Sequence, residues 1–210
     1  MNINQQIVIE FAEEILRYNY SISQLEIDDK WTVDHGDLEP DPEKFENMKE
    51  MSDKLHEMGI AVTIWTHPFF NIESQTLQKS LPSVSFTDTD NPDSNNEYEY
   101  YIKSGNPYNK QPGMIKWWNG YGCHLDPFNQ AAGEWYNERH INMTEQYGID
   151  SFKFDAGEIV WFPDDFNFAK DFINPSQATH EYVEIVSAPE YRDRIEVRAV
   201  YRNQNQPILG

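Results

Sequence analysis

The chain has 210 residues, of which 39% are hydrophobic and 14% aromatic, enough to build one or two folded domains and too much for a disordered chain. Its 36 acidic residues stand against 16 lysines and arginines, which gives a formal net charge of −20. A surface this acidic repels phosphate groups, so a nucleic acid or an anionic membrane is disfavoured as a partner.

The first part of the chain predicts two helix–strand pairs. Residues 3–18 predict a helix whose apolar stripe consists of Ile7, Val8, Phe11, Ile15 and Leu16. The short apolar run from Leu25 to Ile27 follows it as a strand. A second helix is expected to begin at Asp41 and to end at Gly59, with an inward face made of Phe45, Met48, Leu55 and Met58. The β-branched run from Ile60 to Trp65 then predicts a buried strand.

Residues 71–113 interrupt this alternation. They are rich in Ser, Asn, Asp and Pro, and they predict an excursion loop with one short element at most. A long loop without structure is uncommon in a compact domain, so we expect an insertion beside an active site.

The second half of the chain resumes the alternation. A helix from Phe128 to Tyr147 ends at Gly148, a strand runs from Ile149 to Phe154, a helix from Ser176 to Val186 and a strand from Ile195 to Val200. Helices that alternate with short buried strands predict a parallel sheet covered by helices. The pattern fits a closed barrel and an open sheet equally, and in both the functional residues lie at the carboxyl ends of the strands.

Two charged residues share one face of the strand before Gly157. Phe152 and Phe154 alternate with Lys153 and Asp155, which places the two charges on the same side. The lysine would hold Asp155 ionised, as a carboxylate nucleophile requires. The alternative is a structural ion pair, because a lysine and a carboxylate inside a barrel are costly unless they are paired or used.

Several motifs resemble those of glycoside hydrolase family 31. The sequence Lys-Phe-Asp-Ala-Gly-Glu, which begins at Lys153, resembles the nucleophile strand of that family. Other segments resemble family motifs in the same order along the chain, namely 27–31, 37–45, 59–69, 117–120 and 125–126. The resemblance covers nearly the whole chain except about residues 71–105. Together these motifs carry a specific signal, although each of them alone is weak.

The resemblance implies a retaining α-glycosidase on a (β/α)8 TIM barrel, an α/β fold. Residues 1–210 would be an incomplete catalytic barrel domain with about half of the strands and an insertion loop at about 71–113. Asp155 would be the nucleophile that forms a covalent glycosyl-enzyme. The partner would be a carbohydrate, and neither a cofactor nor a metal is implied.

The resemblance also implies sugar-binding residues. Asp28 would accept hydrogen bonds from sugar hydroxyls, the alternative being a turn aspartate. Asp29 would be structural. Trp65 would form a wall for the sugar ring, whereas without the family it is more simply a core residue. Of Trp117 and Trp118, which alternate faces, one would line the pocket and the other would pack.

Five more residues have predicted roles. Lys153 would donate to a sugar hydroxyl beside the nucleophile, which argues against a plain glucosidase pocket. By resemblance, an α-galactoside is the first expected substrate, with an α-glucoside or an α-xyloside next. Arg198 matches the sugar-binding arginine of the family, and Arg202 suits a surface role better. Glu158 would hold a loop or a hydroxyl rather than act as the catalytic acid. His67 has no second ligand at metal spacing and is expected to be structural.

The resemblance further predicts what a longer parent protein would add. A complete barrel has eight strands and about 250 residues. In the family the acid/base aspartate follows the arginine strand, and no residue up to Gly210 matches it. We therefore expect the other barrel half and flanking β-sandwich domains in a parent protein, and an isolated chain that is unstable and inactive. The alternatives are a catalytically inactive carbohydrate-binding or regulatory product, and a metal-dependent barrel enzyme.

Cysteine content and the first residues bear on the compartment. The single cysteine, Cys123, excludes an internal disulfide and a multi-cysteine zinc site. Residues 1–6 lack the basic and apolar regions of a signal peptide. By resemblance, a full-length parent would lie in the secretory pathway or be anchored in a membrane.

Overall fold

The computed structural model describes residues 3–81, 99–106, 111–171, 174–187 and 194–208. Within these ranges the helices are α1 (Gln5–Arg17), α2 (Met48–Glu57), α3 (Gln75–Ser80), α4 (Gln130–Tyr147) and α5 (Ser176–Val186). The strands are β1 (Gln24–Ile27), β2 (Ala61–Thr66), β3 (Phe69–Asn71), β4 (Lys103–Ser104), β5 (Ile115–Trp117), β6 (Gly120–His124), β7 (Ser151–Phe154), β8 (Phe166–Asn167) and β9 (Glu196–Val197). A 3-10 helix spans Ile159–Trp161.

A parallel sheet with the strand order β1-β2-β7-β9 forms the centre of the molecule. Helices α1, α2, α4 and α5 each precede one of these strands, which confirms the predicted alternation. The register pairs Ile27 with Ile64, Ile64 with Phe152, and Phe154 with Val197. Within the described residues β1 and β9 do not pair with each other, so the sheet is open.

The two faces of this sheet have opposite character. One face is apolar and buried against the helices, and it consists of Leu25, Ile27, Val62, Ile64, Phe152, Phe154 and Val197. Each fully buried side chain of this kind contributes about 1.5–3 kcal/mol. The intervening residues, Glu26, Thr63, Trp65, Lys153 and Glu196 among them, lie on the other face because successive strand residues alternate sides. The candidate functional side chains lie on this polar face.

Two predicted details of the first helices are wrong. In α1 the buried residues are Val8, Ile9 and Ala12, whereas Phe11 and Leu16 of the predicted apolar stripe are 55% and 37% exposed. Helix α2 begins at Met48, and the side chain of Asn47 caps it by accepting from the backbone N–H of Glu50.

Asp41, the predicted start of that helix, caps a separate turn. Its Oδ1 accepts from the backbone N–H of Glu43, and its carboxylate pairs with Lys44. Asp41 and Asn47 are both good capping residues, so the sequence offers two starts for one helix. The predicted end at Gly59 is confirmed, since this glycine has a φ of +78° directly after the helix.

The excursion at 71–113 contains more structure than predicted. It includes the last residue of β3, helix α3 and strand β4; residues 82–98 and 107–110 lie outside the described part of the chain. Strands β3, β6 and β5 form an antiparallel sheet, and β4 pairs with β8. The turn between β5 and β6 ends at Gly120, where φ is +140° and an added Cβ would lie 2.7 Å from Nδ2 of Asn71. Only glycine fits this turn without strain.

The predicted ends of α4 and α5 are confirmed, and the predicted extent of the last strand is corrected. Helix α4 is followed by Gly148 in the left-handed conformation, and α5 has the predicted bounds. The last strand is shorter than the predicted 195–200, because only Glu196 and Val197 pair with β7. In the described part of the chain no helix is both long and apolar enough to cross a membrane.

Candidate active site

The carboxyl end of the central sheet brings the polar side chains together. The register places Trp65 beside Lys153, and Lys153 beside Glu196. Beyond the last strand residues, the N–H of Asp155 donates to the carbonyl of Thr66, and the N–H of Arg198 donates to the carbonyl of Phe154. Asp155 and Arg198 therefore prolong the polar face past the ends of β7 and β9.

The carboxylate of Asp155 is held by three donors. Its Oδ2 accepts from Nε1 of Trp65 at 3.0 Å, and its Oδ1 accepts from Nη1 of Arg198 at 3.1 Å and from the N–H of Ala156 at 2.7 Å. The side chain is only 14% exposed. Every one of these contacts donates to the carboxylate, so its orientation is fixed while about one of its four acceptor positions stays open.

The backbone directly after Asp155 is strained. Ala156 has a φ of +61° and Gly157 a φ of +89°. A positive φ is uncommon for a residue with a Cβ, and such strain persists only where the surroundings impose it, commonly at functional sites. An added Cβ at Gly157 would lie 2.6 Å from Cδ1 of Tyr182 on α5, so packing requires glycine there.

Arg198 connects Asp155 to a second carboxylate. While Nη1 bonds Asp155, Nε donates to Oε1 of Glu158 at 2.9 Å. The hydrogen bond to Asp155 and the charge of Glu158 raise the pKa of Arg198. Glu158 also accepts from Nε1 of Trp161 at 3.2 Å. Glu158 is thus occupied in holding Arg198 and the 3-10 helix, in agreement with its predicted loop-holding role.

Lys153 does not pair with Asp155, so the predicted partner is wrong. Its Nζ donates to Oε1 of Glu26 at 2.8 Å and to Oδ2 of Asp28 at 3.1 Å, both contributed by the β1 side of the sheet. Arg198 supplies the positive charge next to Asp155 instead. The physical reason is the strand order: β1 and β7 flank β2, and a long lysine side chain can reach carboxylates two strands away.

The Lys153 cluster shifts the pKa values of all three members. Burial alone would lower the pKa of Lys153, but the hydrogen bonds to Glu26 and Asp28 raise it above its ordinary value. Burial raises the pKa of Glu26. Although burial also opposes ionisation of Asp28, the N–H of Asp29 and the contacts with Glu26 and Lys153 lower its pKa. Sequence reasoning missed Glu26, although its position two residues before Asp28 signals the same strand face.

The two adjacent tryptophans have different surroundings. Trp117 is 2% exposed, its Nε1 donates to Oδ1 of Asn71 at 2.7 Å, and its ring packs 4.5 Å from that of Phe69. Trp118 is 43% exposed, with its ring 5.0 Å from that of Trp161 and 5.8 Å from the guanidinium of Arg198. Trp117 is therefore the packing member of the pair, and Trp118 borders the site.

The residues after β1 connect the β5–β6 hairpin to the central sheet. The amide Nδ2 of Asn119 donates to Oδ2 of Asp29 at 3.1 Å, which fits the predicted structural role of Asp29. Nε1 of Trp31 donates to the carbonyl of Trp65 at 2.9 Å. The motif that contains Asp28, Asp29 and Trp31 thus joins β1 to β7, to the β5–β6 turn and to β2.

His67 lies in an aromatic cluster. Its Nδ1 accepts from the N–H of Phe69, and its ring lies 4.8 Å from that of Trp65 and 4.6 Å from that of Trp117. Burial lowers the pKa of His67 well below its ordinary value, which makes it a neutral packing residue. Among the residues that the structure describes, no group of three or more His, Cys, Asp or Glu side chains could hold a metal ion.

Comparisons with known proteins agree with the motifs. A family model described as the TIM-barrel domain of glycosyl hydrolases family 31 matches residues 1–206. Myogenesis-regulating glycosidase of Mus musculus is 32% identical over 203 residues, which cover 97% of this chain and 26% of that protein. The chain therefore spans about a quarter of this relative.

Solved structures show the same fold. A family 31 dextranase of Flavobacterium johnsoniae complexed with glucose has a TM-score of 0.76 at 15% identity, covering 95% of this chain and 24% of that one. A family 31 α-xylosidase from a soil metagenome complexed with xylose has a TM-score of 0.68 at 18% identity, covering 88% of this chain and 25% of that one. The expected fold class, a partial TIM barrel, is confirmed.

Proposed function

Because the chain belongs to glycoside hydrolase family 31, we propose that it forms the nucleophile half of a retaining α-glycosidase site in which Asp155 attacks the sugar. The observation that carries the proposal is the setting of Asp155: a carboxylate at the carboxyl end of a parallel strand, little exposed, and oriented by Trp65, Ala156 and Arg198. Catalytic residues of TIM barrels lie at such strand ends.

The proposed reaction has two displacements at the anomeric carbon. A carboxylate oxygen of Asp155 forms a bond to that carbon while the bond to the leaving oxygen breaks, which produces a glycosyl ester of the enzyme. Water then attacks the same carbon and releases the carboxylate, so the product keeps the α configuration. Holding the carboxylate in one orientation lowers the entropic cost of the first step.

The reaction also needs a carboxylic acid about 5 Å from the nucleophile, which protonates the leaving oxygen in the first step and takes a proton from the attacking water in the second. Among the described residues around Asp155, Glu158 is bonded to Arg198 and Trp161, and Asp28 is bonded to Lys153. Glu158 is therefore already occupied by two donors, and the lowered pKa of Asp28 makes it unsuited to delivering a proton. We therefore propose that the acid/base residue comes from outside the described residues, and that residues 1–210 alone turn over glycosides poorly.

A parent protein would complete the site. We propose that it carries the other half of the barrel and the flanking β-sandwich domains, since the chain spans 24–26% of the relative and the dextranase described above. Residues 1–210 would then act as one part of a larger catalytic domain.

The sugar would lie between the remaining polar and aromatic residues. Trp118, 43% exposed beside Arg198, offers an aromatic face, and Asp28 and Lys153 offer hydrogen-bonding groups for hydroxyls. Trp65 is 3% exposed, so its proposed contribution is through its indole N–H on Asp155 rather than through a broad wall. Trp117 is buried, and its ring packs against that of Trp118.

We propose an α-galactoside as substrate, with an α-glucoside or an α-xyloside next. The support is the family resemblance together with the lysine two residues before the nucleophile. The two solved structures described above hold glucose and xylose. These sugars differ in single groups on the ring, so discrimination rests on the direction of individual donors and acceptors.

The test is turnover of nitrophenyl α-galactoside, α-glucoside and α-xyloside by the full-length protein, with the product's configuration read by NMR. The proposal expects a product of retained configuration and a loss of at least about 1,000-fold in Asp155→Asn. An inverted product, or an active Asp155→Asn, would overturn it. Sugar binding without any turnover would instead indicate a carbohydrate-binding role.

A further inference from the structure

Glu26, Asp28 and Lys153 form a charged cluster that spans three strands. Lys153 lies on β7 and Glu26 on β1, with β2 between them in the sheet. A single ammonium group donates to both carboxylates, at 2.8 Å to Glu26 and 3.1 Å to Asp28. The contact with Glu26 is the shorter of the two. Glu26 is also the less exposed carboxylate, with 30% of its side chain exposed against 57% for Asp28.

Lys153 has two other carboxylates close by in the sheet. Glu196 is its register neighbour on β9 and shares its face, and Asp155 follows it by two residues on the same side. Neither accepts a hydrogen bond from Lys153 in the described structure, so the ammonium is directed specifically toward β1.

We infer that Glu26 is a positioning residue of the reaction, which sets the preference for one sugar epimer by fixing the Lys153 ammonium. This inference rests on the proposed function. An ammonium has three N–H donors, and once Glu26 and Asp28 hold two of them the third has a fixed direction. Without Glu26, the flexible four-carbon stem would keep one anchor and could turn toward Asp155 or Glu196.

A fixed donor discriminates between hydroxyls of different direction, whereas a mobile one does not. Glu26 therefore acts through Lys153 rather than on the sugar itself. Two consequences follow: loss of the Glu26 charge should reduce epimer discrimination, and it should have no further effect once Lys153 is gone.

The experiment is a double-mutant cycle in the full-length protein, with kcat/KM measured on the nitrophenyl α-galactoside and α-glucoside. We expect Glu26→Gln to reduce kcat/KM on the preferred epimer about 10-fold and to narrow the ratio between the two sugars. The double variant Glu26→Gln with Lys153→Met should be no worse than Lys153→Met alone. Glu196→Gln removes the same charge beside Lys153 without breaking a bond to it, and should stay within about 2-fold of wild type.

A Glu26→Gln effect equal to that of Glu196→Gln, or effects that multiply in the double variant, would overturn the inference. If Glu26→Gln does not fold, Glu26→Asp, which keeps the charge on a shorter arm, should fold and give an intermediate loss on the preferred epimer; full activity would overturn the inference.

Acetylation of Lys153 by acetic anhydride, read by peptide mass, checks the contact without turnover. It should be faster in Glu26→Gln than in wild type or Glu196→Gln, and an equal rate would contradict the contact. If the wild-type protein hydrolyses none of the sugars, the proposed function fails, whereas failure of the Glu26 variants alone leaves it standing.

Discussion

The indole N–H of Trp65 donates a 3.0 Å hydrogen bond to the carboxylate of Asp155, 90 positions further along the chain. The backbone of these two strand ends is joined as well, through the carbonyl of Thr66 and the N–H of Asp155. Trp65 is in turn held by Trp31, whose indole donates to its carbonyl. The orientation of the proposed nucleophile is thus built into the pairing of β2 with β7.

The first prediction concerns this indole. Trp65→Phe keeps an aromatic ring and removes one donor to Asp155, and we expect kcat/KM to fall about 10-fold or more because the donor binds a charged group. Trp117→Phe is the matched control, since it also removes a buried indole donor, in that case to Oδ1 of Asn71. Steady-state kinetics on both variants checks the prediction. Equal losses would show that packing, rather than the bond to Asp155, explains the effect.

The second prediction concerns the fork of Arg198. Its Nη1 and Nε bond Asp155 and Glu158 at the same time, a geometry that a lysine ammonium on one stem does not reproduce. We expect Arg198→Lys to lower kcat/KM at least about 10-fold. Arg202→Lys is the control, because Arg202 lies over the ring of Tyr201 and outside these contacts. An Arg198→Lys protein as active as Arg202→Lys would contradict the assignment.

A third prediction follows from His124. Its Nδ1 bonds the carbonyl of Leu125, while its Nε2 is buried with no partner among the described residues. Burial lowers the pKa of His124 from 6.5 to about 4, so the folded state resists protonation and the unfolded state does not. The contribution of His124 to stability is therefore full above pH 6.5 and is lost as the pH drops toward 4, by about 3 kcal/mol.

His124→Gln should flatten this acid dependence. Hydrogen-exchange protection of β6, compared between about pH 7 and about pH 4.5, measures this acid dependence locally. The variant carries no titrating group at position 124, so its protection should change less with pH. The prediction is wrong if the variant loses as much protection on acidification as the wild-type protein.

The fourth prediction separates steric contact from backbone strain after the nucleophile. Gly157 and Gly59 have similar φ values, +89° and +78°, but an added Cβ meets Tyr182 at the former and nothing within 4 Å at the latter. Gly59→Ala should cost about 1–2 kcal/mol, for the backbone alone. Gly157→Ala should cost more and should also lower kcat, because Tyr182 and the Asp155 backbone must shift. Thermal unfolding and kinetics test both, and equal costs would contradict the packing argument.

The sheet and its apolar face could be predicted because they follow from local periodicity. Phe152 and Phe154 alternate with Lys153 and Asp155, and the four helices have clear apolar spacing and end signals such as Gly148. The family motifs added the position of the proposed nucleophile. The short strands β4, β8 and β9 were missed or misjudged, because two residues are too few to show a period.

The partners of the charged side chains could not be predicted from spacing. Lys153 lies two residues from Asp155 in sequence, yet it bonds Glu26 and Asp28, 127 and 125 positions away. Strand order decides this choice, and strand order depends on how all the helices pack. The same holds for Arg198, which reaches Asp155 only because β9 lies beside β7.

Covalent labelling tests the central claim most directly. The full-length protein is treated with a ring-fluorinated α-galactosyl fluoride, whose fluoride leaves without help from an acid and whose glycosyl-enzyme hydrolyses slowly. The account predicts a mass increase of one fluorogalactosyl group on the peptide that contains Asp155, and none in Asp155→Asn. Label on another carboxylate, or turnover of α-galactosides with no label on Asp155, would contradict it.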